Sequence, residues 1–331
     1  MTTESRIRVG IAGTGSYVPE RVMTNQDFER LVDTSDEWIV QRTGIRERRF
    51  AAPDQATSHL ALEASRRALD AAGIEASELD LVIVGTLTPD YLLPATACLL
   101  QHRLGATRAA AFDVNAACTG FLTALHTAEG YIASGRARRV LAVGAECLSR
   151  FLDMKDRTSC ILFGDAAGAV VLEPWEDCRQ GEILRATLGA DGSAFEIIHM
   201  SGGGSARPAS AETVAGGEHF IRLRGREVYR FAVTKMADLI AEMVEGLDPD
   251  EISLVIPHQV NSRIIESALD RLGWTGEKVL INIDRYGNTS AATVPLALDE
   301  AVRGGRLEKG KYGVLVAFGA GLTWGGTLLR W

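Results

Sequence analysis

Apolar residues along this chain follow two rhythms: a helical spacing of three and four, and short unbroken runs suited to buried strands. Ser58–Ala72 carries apolar residues at Leu60, Ala61, Ala64, Ala68 and Ala71 and stops at Gly73. Glu227–Glu245 repeats the rhythm with Val228, Phe231, Ala232, Met236, Leu239, Ile240 and Met243, and stops at Gly246. Both spacings predict amphipathic helices closed by glycine. Each predicted helix leads to a buried strand, LDLVIVG at Leu79–Gly85 and ISLVIPH at Ile252–His258. A second helix follows in each case, ended by Leu-Gly at Gly105 and Gly273. Then come the apolar strands AAAFDV and VLINID, and finally VLAVGAE (Val140–Glu146) and VLVAFGA (Val314–Ala320).

One order of elements therefore occurs twice. Matching Val84 to Ile256, Asp113 to Asp284 and Val140 to Val314 gives offsets of 172, 171 and 174 residues. A near-constant offset over several elements predicts an α/β chain of two similar halves, 1–178 and 179–331, packed as one unit. The boundary falls in EPWEDCRQGE, Glu173–Glu182, where the pattern lapses and charge rises. The Gly-, Ala- and Ser-rich stretch Ser201–Gly217 is expected to be a mobile loop, either an active-site cover or a neutral surface excursion. GTGSYV at Gly13–Val18 has the outline of a dinucleotide-binding glycine motif. Val18 replaces its third small residue and Pro19 blocks the helix, so a first strand and turn are expected, with no nicotinamide cofactor.

Composition narrows the class. The 331 residues are 46% hydrophobic and 24% charged, the balance of a globular protein. A formal net charge of −8 argues against general nucleic-acid binding, which needs a basic surface. No apolar run approaches a membrane span, and MTTESRIRVGIAG lacks the apolar centre of an export signal. The five cysteines are odd in number and show no CxxC spacing. Free thiols in a reducing cytoplasm are expected, without a disulfide framework or a metal site.

Three residues stand where chemistry gathers in α/β proteins. Cys118 lies where AAAFDVNAAC gives way to TGFLTALHTAEGYI, at a strand-to-helix turn. Free N–H groups and the dipole at such a helix start favour a thiolate, the attacking form of cysteine. Taken singly, a cysteine in an apolar stretch is more often a packing residue. His258 ends the strand LVIPH at its carboxyl end, and Asn288 lies in DRYGNTSAA, the duplicate of the DVNAACTG turn. Alone, each is explained as a satisfied polar residue or a turn former. Related by one internal symmetry, the three are expected around a shared centre.

NAACTGF, PHQVNSRI, YGNTSAATVPLALDEA and AFGAGLTWG resemble the β-ketoacyl-acyl-carrier-protein synthase III family, as do TSDEWIVQRTGIRERR and LFGDAAGAVVLEP. The resemblance runs from about Val9 to Trp331 in order and spacing. It implies a thiolase-like αβαβα layered fold, a homodimer, and no cofactor beyond a coenzyme A thioester as substrate. It assigns Cys118 to accept the acyl group from acyl-coenzyme A, and His258 and Asn288 to act on malonyl-acyl carrier protein. Their two N–H donors suit the enolate left by loss of carbon dioxide. Backbone N–H groups at Cys118 and Ala320 would form the oxyanion site for acyl transfer.

The same resemblance maps coenzyme A contacts onto Thr34, Trp38, Arg42 and Arg157, and the pantetheine channel onto Gly225 and Asn261, with Phe318 near the sulfur. Arg222, Arg224, Arg226, Arg230, Arg263 and Arg271 are either solvated edges or a docking face for an acidic carrier protein; only Arg230 and Arg263 match the family's positions. Val260, Leu93 and Ala320 depart from better-known members, which carry alanine, a bulky aromatic from the partner subunit, and glycine there. The expected consequences are a tighter channel at Val260 and a wider acyl pocket at Leu93. A thiolase would need a second cysteine in AFGAGLTWG, and an elongating synthase a histidine at Asn288. A specialised synthase with another acceptor would keep Cys, His and Asn, whereas a non-catalytic binding subunit would often lose the nucleophile, and all three residues are present here.

Overall fold

The computed structural model describes residues 6–331; the first five, part of the segment read above for an export signal, lie outside the described residues. Nine strands build two sheets. The first takes β1 (Val9–Tyr17), β2 (Leu81–Gly85), β3 (Ala110–Val114), β4 (Val140–Glu146) and β5 (Ala166–Pro174), in the order β1-β5-β4-β2-β3. The second takes β6 (Glu182–Ala190), β7 (Ile252–Pro257), β8 (Tyr312–Gly319) and β9 (Thr323–Arg330), in the order β6-β9-β8-β7. Replacing β1, β5, β4 and β2 by β6, β9, β8 and β7 turns one order into the other. The directions agree too: β2 runs parallel to β4 as β7 does to β8, and β5 and β9 are antiparallel to their neighbours.

Six helices complete the layers: α1 (Thr57–Ala72), α2 (Thr96–Leu104), α3 (Gly120–Ala133), α4 (Gly225–Val244), α5 (Ser262–Leu272) and α6 (Thr293–Arg303). The glycine stops fall as the sequence predicts, with Gly73, Gly105 and Gly273 in the left-handed conformation at the ends of α1, α2 and α5. The apolar faces of α3 and α6 share one core with residues of both sheets, among them Ile83, Phe121, Leu298 and Leu315. The buried faces of α1 and α2 cover the outer side of the first sheet, and those of α4 and α5 the outer side of the second. The layers therefore read αβαβα. Gly13 and Gly15 lie on β1 directly beneath α1, where a Cβ would meet the backbone of Ala68 and Ala64. That glycine pair serves helix packing.

Two expectations change. VLINID forms no strand: a single parallel bridge, Val255 to Val279, stands where a fifth strand would lie, and Ile283–Tyr286 is a helical turn. The buried Gln259 side chain takes over the ladder, donating to Leu280 O at 3.0 Å and accepting from Asn282 N at 3.0 Å. The stretch Ser201–Gly217, expected to be an irregular loop, contains the helix Ala211–Ala215, whose Ser210 and Thr213 cap one another. Flanking it, Ile198–His199 pairs antiparallel with Arg222–Leu223. No helix among the described residues is long and apolar enough to cross a membrane, and all five cysteines are free.

Candidate active site

The two inner helices begin alike. Ala117–Thr119 forms a tight turn before α3, and Ser290–Ala292 forms one before α6. Ala117 and Ser290, 173 positions apart, open these turns with φ of 47° and 49°, a region that side chains other than glycine seldom occupy. Asn115 Oδ1 accepts from Ala117 N at 3.3 Å, and Asn288 Oδ1 accepts from Ser290 N at 2.9 Å. The structural counterpart of Asn288 is therefore Asn115, and that of Cys118 is Ala291. Asn288 and Cys118 thus lie at equivalent helix starts, three positions apart on the matching turns.

Cys118, His258, Asn288, Gly225, Asn261, Phe318 and Ala320 line one cavity of about 270 Å³. Most of its remaining wall is apolar, including Leu87, Leu148, Leu162, Met200 and Val228. His258 follows β7 and donates its backbone N–H to Val316 O at 2.8 Å, while its ring meets Phe318 edge-on at 5.8 Å. Both ring nitrogens are buried without a partner, and burial pulls the imidazole down to about 3. The ring is neutral, so it brings one N–H donor to whatever fills the cavity. Asn288 is fixed by its neighbours: its N–H donates to Leu162 O, its C=O accepts from Gly164 N, and its side-chain oxygen is engaged by Ser290. The carboxamide NH₂ is left for the cavity.

Cys118 is held from the opposite side by β8. A Cβ on Gly319 would lie 2.8 Å from both the Cβ and the N of Cys118, so only glycine admits this approach. Burial pushes the thiol up to about 12, in the direction opposite to the helix start, which favours a thiolate.

Thr34, Trp38, Arg42 and Arg157 do not line this cavity; Trp38, Arg42 and Arg157 form a cluster beside it. The Arg157 and Arg42 guanidinium carbons lie 5.5 and 5.7 Å from the Trp38 ring centroid. Asn261 Nδ2 donates to Arg42 O at 3.0 Å, tying the cluster to the cavity wall. Thr34 Oγ1 is buried without a partner. Arg230 and Arg263 are exposed on α4 and at the start of α5, whereas Arg222 is paired with Asp153 and Asp156, and Arg224 with Glu196. Leu93 is 87% exposed and outside the cavity of its own chain. No cluster of three or more His, Cys, Asp or Glu suited to a metal occurs among the described residues.

Sequence reading missed Asn115, Gln259, Ser290, Gly319 and Glu146. The offset of 173 would have found Asn115. A lone carboxylate closing the otherwise apolar strand VLAVGAE was the signal for Glu146.

Five layers, paired helix starts and an apolar chamber holding a thiol, an imidazole and a carboxamide are those of a thiolase-like condensing enzyme. Family models described as 3-oxoacyl-[acyl-carrier-protein (ACP)] synthase III and its C-terminal part match residues 112–192 and 243–331. The β-ketoacyl-[acyl-carrier-protein] synthase III of Caldanaerobacter subterraneus subsp. tengcongensis is 52% identical over 98% of each chain. The crystal structure of 3-oxoacyl-[acyl-carrier-protein] synthase III from Aquifex aeolicus superposes with a TM-score of 0.89 at 46% identity, covering 98% of this chain and 100% of that one. A priming β-ketosynthase from the R1128 polyketide pathway gives 0.90 at 37% identity, covering 100% and 98%. The chain belongs to the β-ketoacyl-acyl-carrier-protein synthase III family.

Proposed function

We propose that this enzyme starts fatty-acid synthesis by condensing an acyl-coenzyme A with malonyl-acyl carrier protein, releasing carbon dioxide and giving a β-ketoacyl-acyl carrier protein. The observation that carries this reading is the convergence of Cys118, His258 and Asn288 on one apolar cavity. Cys118 attacks the thioester and holds the acyl group while coenzyme A leaves. The malonyl thioester then enters, and its carbonyl oxygen meets the free His258 N–H and the Asn288 NH₂. These donors stabilise the enolate as carbon dioxide departs, and a dry site strengthens them. The enolate carbon attacks the acyl-Cys118 carbonyl and frees the Cys118 sulfur as a thiolate, which regains a proton. A neutral imidazole suits this step, because no buried cation has to be maintained.

The Trp38 cluster supports coenzyme A binding: an aromatic ring with two guanidinium groups near it suits a purine, and arginine suits phosphate. Gly225 and Asn261 then flank the pantetheine arm between that cluster and Cys118, with Phe318 at the sulfur. Backbone N–H groups of Cys118 and Ala320 receive the oxyanion of acyl transfer. Arg230 and Arg263 receive the acidic carrier. The halves 1–178 and 179–331 meet between β5 and β6, and the free thiols suit a cytoplasmic enzyme.

The likeness to the polyketide-priming synthase supports a second reading, a specialised synthase with a different acceptor. One assay separates the two. Purified protein is given a panel of acyl-coenzyme A starters and malonyl-acyl carrier protein, with acylation followed by mass and product by chromatography. Cys118→Ser should lose acylation, Asn288→Ala should acylate but condense at least about a hundredfold more slowly, and Arg230→Glu with Arg263→Glu should raise only the carrier KM. Cys118 acylation without any malonyl-carrier product would favour the specialised reading. Normal condensation by Asn288→Ala would remove its assigned role.

A further inference from the structure

Arg48 is fully buried in the strand Glu47–Phe50, which pairs with Arg21–Thr24. Its guanidinium donates to Met23 O at 3.2 Å, to Asn25 Oδ1 at 2.8 Å and to Ile161 O, and lies 4.6 Å from the Phe28 ring centroid. None of these three acceptors is a carboxylate. Burying a cation against neutral oxygens is costly, and an apolar side chain of similar volume would fill the space at less cost. What an apolar chain lacks is a planar fork of donors, which holds acceptors from separate segments in one geometry.

Those segments lead to the two parts of the site. Ile161 precedes Leu162, a wall residue of the cavity whose O accepts from Asn288 N at 2.8 Å, and Gly164 N donates to Asn288 O at 3.0 Å. The stem of Arg48 packs behind the same contact: a Cβ on Gly164 would lie 3.0 Å from the Arg48 Cβ, and one on Gly287 3.3 Å. Gly287, at φ 64°, is the residue before Asn288. The neighbours of Arg48 hold the same region, with Arg46 N donating to Asp284 O at 2.9 Å and Asp165 N to Arg49 O at 2.8 Å. On the other side, Asn25 Nδ2 donates to Asp36 Oδ1 at 2.8 Å, at the start of the helix Asp36–Thr43 that carries Trp38 and Arg42.

We propose that Arg48 is a positioning residue for condensation: it fixes the backbone of residues 161–164 and Gly287, and so where the Asn288 carboxamide stands in the cavity. Arg48 does not line the cavity and acts through Asn288. The Asn288 donor is useful only where the enolate oxygen develops, so a displacement of about 1 Å costs rate even where the fold survives it. Acyl transfer to Cys118 does not use that donor, and the two steps should therefore separate. This rests on the reading of Asn288 as an enolate donor.

The test compares full-length wild type, Arg48→Lys, Asn288→Ala and the double variant. Cys118 acylation is followed by mass, and one turnover of preformed acyl-enzyme with malonyl-acyl carrier protein by product. Arg48→Lys should slow condensation at least about tenfold and acylation by no more than about twofold. In the Asn288→Ala background it should slow condensation no further. An unchanged condensation rate, equal losses in the two steps, or a loss that adds to that of Asn288→Ala would overturn the proposal. Amide hydrogen exchange needs no substrate: peptides over residues 159–165 and 284–290 should exchange faster in Arg48→Lys than in wild type, while α1 and β9 exchange alike. Should wild type itself give no condensation product, the functional reading fails and exchange decides; wild-type exchange in both peptides would overturn the role of Arg48. Should Arg48→Lys fail to fold, Asn25→Ala, which removes one acceptor and leaves Arg48 in place, is read by the same comparisons.

Discussion

Burial moves several titratable side chains in opposite directions, and the signs carry consequences for stability. His258 is drawn down to about 3 and His126 to about 4, both by desolvation. In the unfolded chain each binds a proton near the ordinary imidazole value of 6.5. Below that pH the unfolded state holds more protons, so stability is full above 6.5 and falls as pH falls towards 4. Glu146 acts oppositely: raised to about 7, it contributes stability at low pH that is lost as pH rises through its folded value. His126 isolates one of these effects, because it lies away from the cavity and meets Thr327 Oγ1 at 2.7 Å. His126→Gln should melt less steeply than wild type as pH falls from 6.5 to 4.5. The difference in slope is about 1.4 kcal/mol per pH unit, one proton's worth. Urea melts across that range measure it, and parallel slopes would show that His126 does not fold as the neutral ring.

At the level of elements, helices and their glycine stops were legible because a 3.6-residue apolar period survives in sequence. Strand identity was legible where the runs are β-branched and bounded, as in VLAVGAE, and it failed at VLINID. The hydrophobic pattern there is that of a strand, but one polar side chain elsewhere decides the pairing. Gln259 donates to Pro257 O and Leu280 O, each at 3.0 Å, and accepts from Asn282 N, doing in one amide what a ladder would do in several bonds. That Cys118 and Asn288 face one cavity was legible for a related reason: duplication marks the two helix starts beside them. The pairing of Ser290 with Glu146 was not, since it is a contact across 144 positions that no local pattern records. Gln259→Leu should leave buried polar groups at Leu280 and Asn282 without partners, at about 1–3 kcal/mol each. Chemical denaturation should show that loss. Because Asn282 leads into the turn of Asn288, condensation should fall further than acylation. Unchanged stability would mean that water replaces the amide.

For the whole molecule, the open question in the fold is the free edge of the first sheet. Among the described residues β3 pairs with β2 alone and is an edge strand of its sheet. Proteins cover such an edge or blunt it with charge, and Ala110–Val114 has a single acid, Asp113. That carboxylate is turned inward, accepting from Thr96 N and Ala97 N at 2.7 Å at the start of α2. It thereby ties the preceding segment to the edge strand, and in that segment Tyr91, Leu92 and Leu93 are 62, 90 and 87% exposed. An unpaired, half-buried edge beside three consecutive exposed apolar side chains fits a second copy of the chain related by a twofold axis, with β3 meeting β3. In such a pair Leu93, which is absent from the cavity of its own chain, would be free to meet the other copy. Light scattering should give the mass of two chains. Phe112→Lys with Leu92→Lys, which place charge on the edge strand and the exposed segment, should shift that mass to one chain. The same pair should lower condensation while leaving the α1 and α4 layers folded by circular dichroism. A wild-type mass of one chain at micromolar concentration would leave the edge strand without the proposed partner, and acyl selection to residues of a single chain.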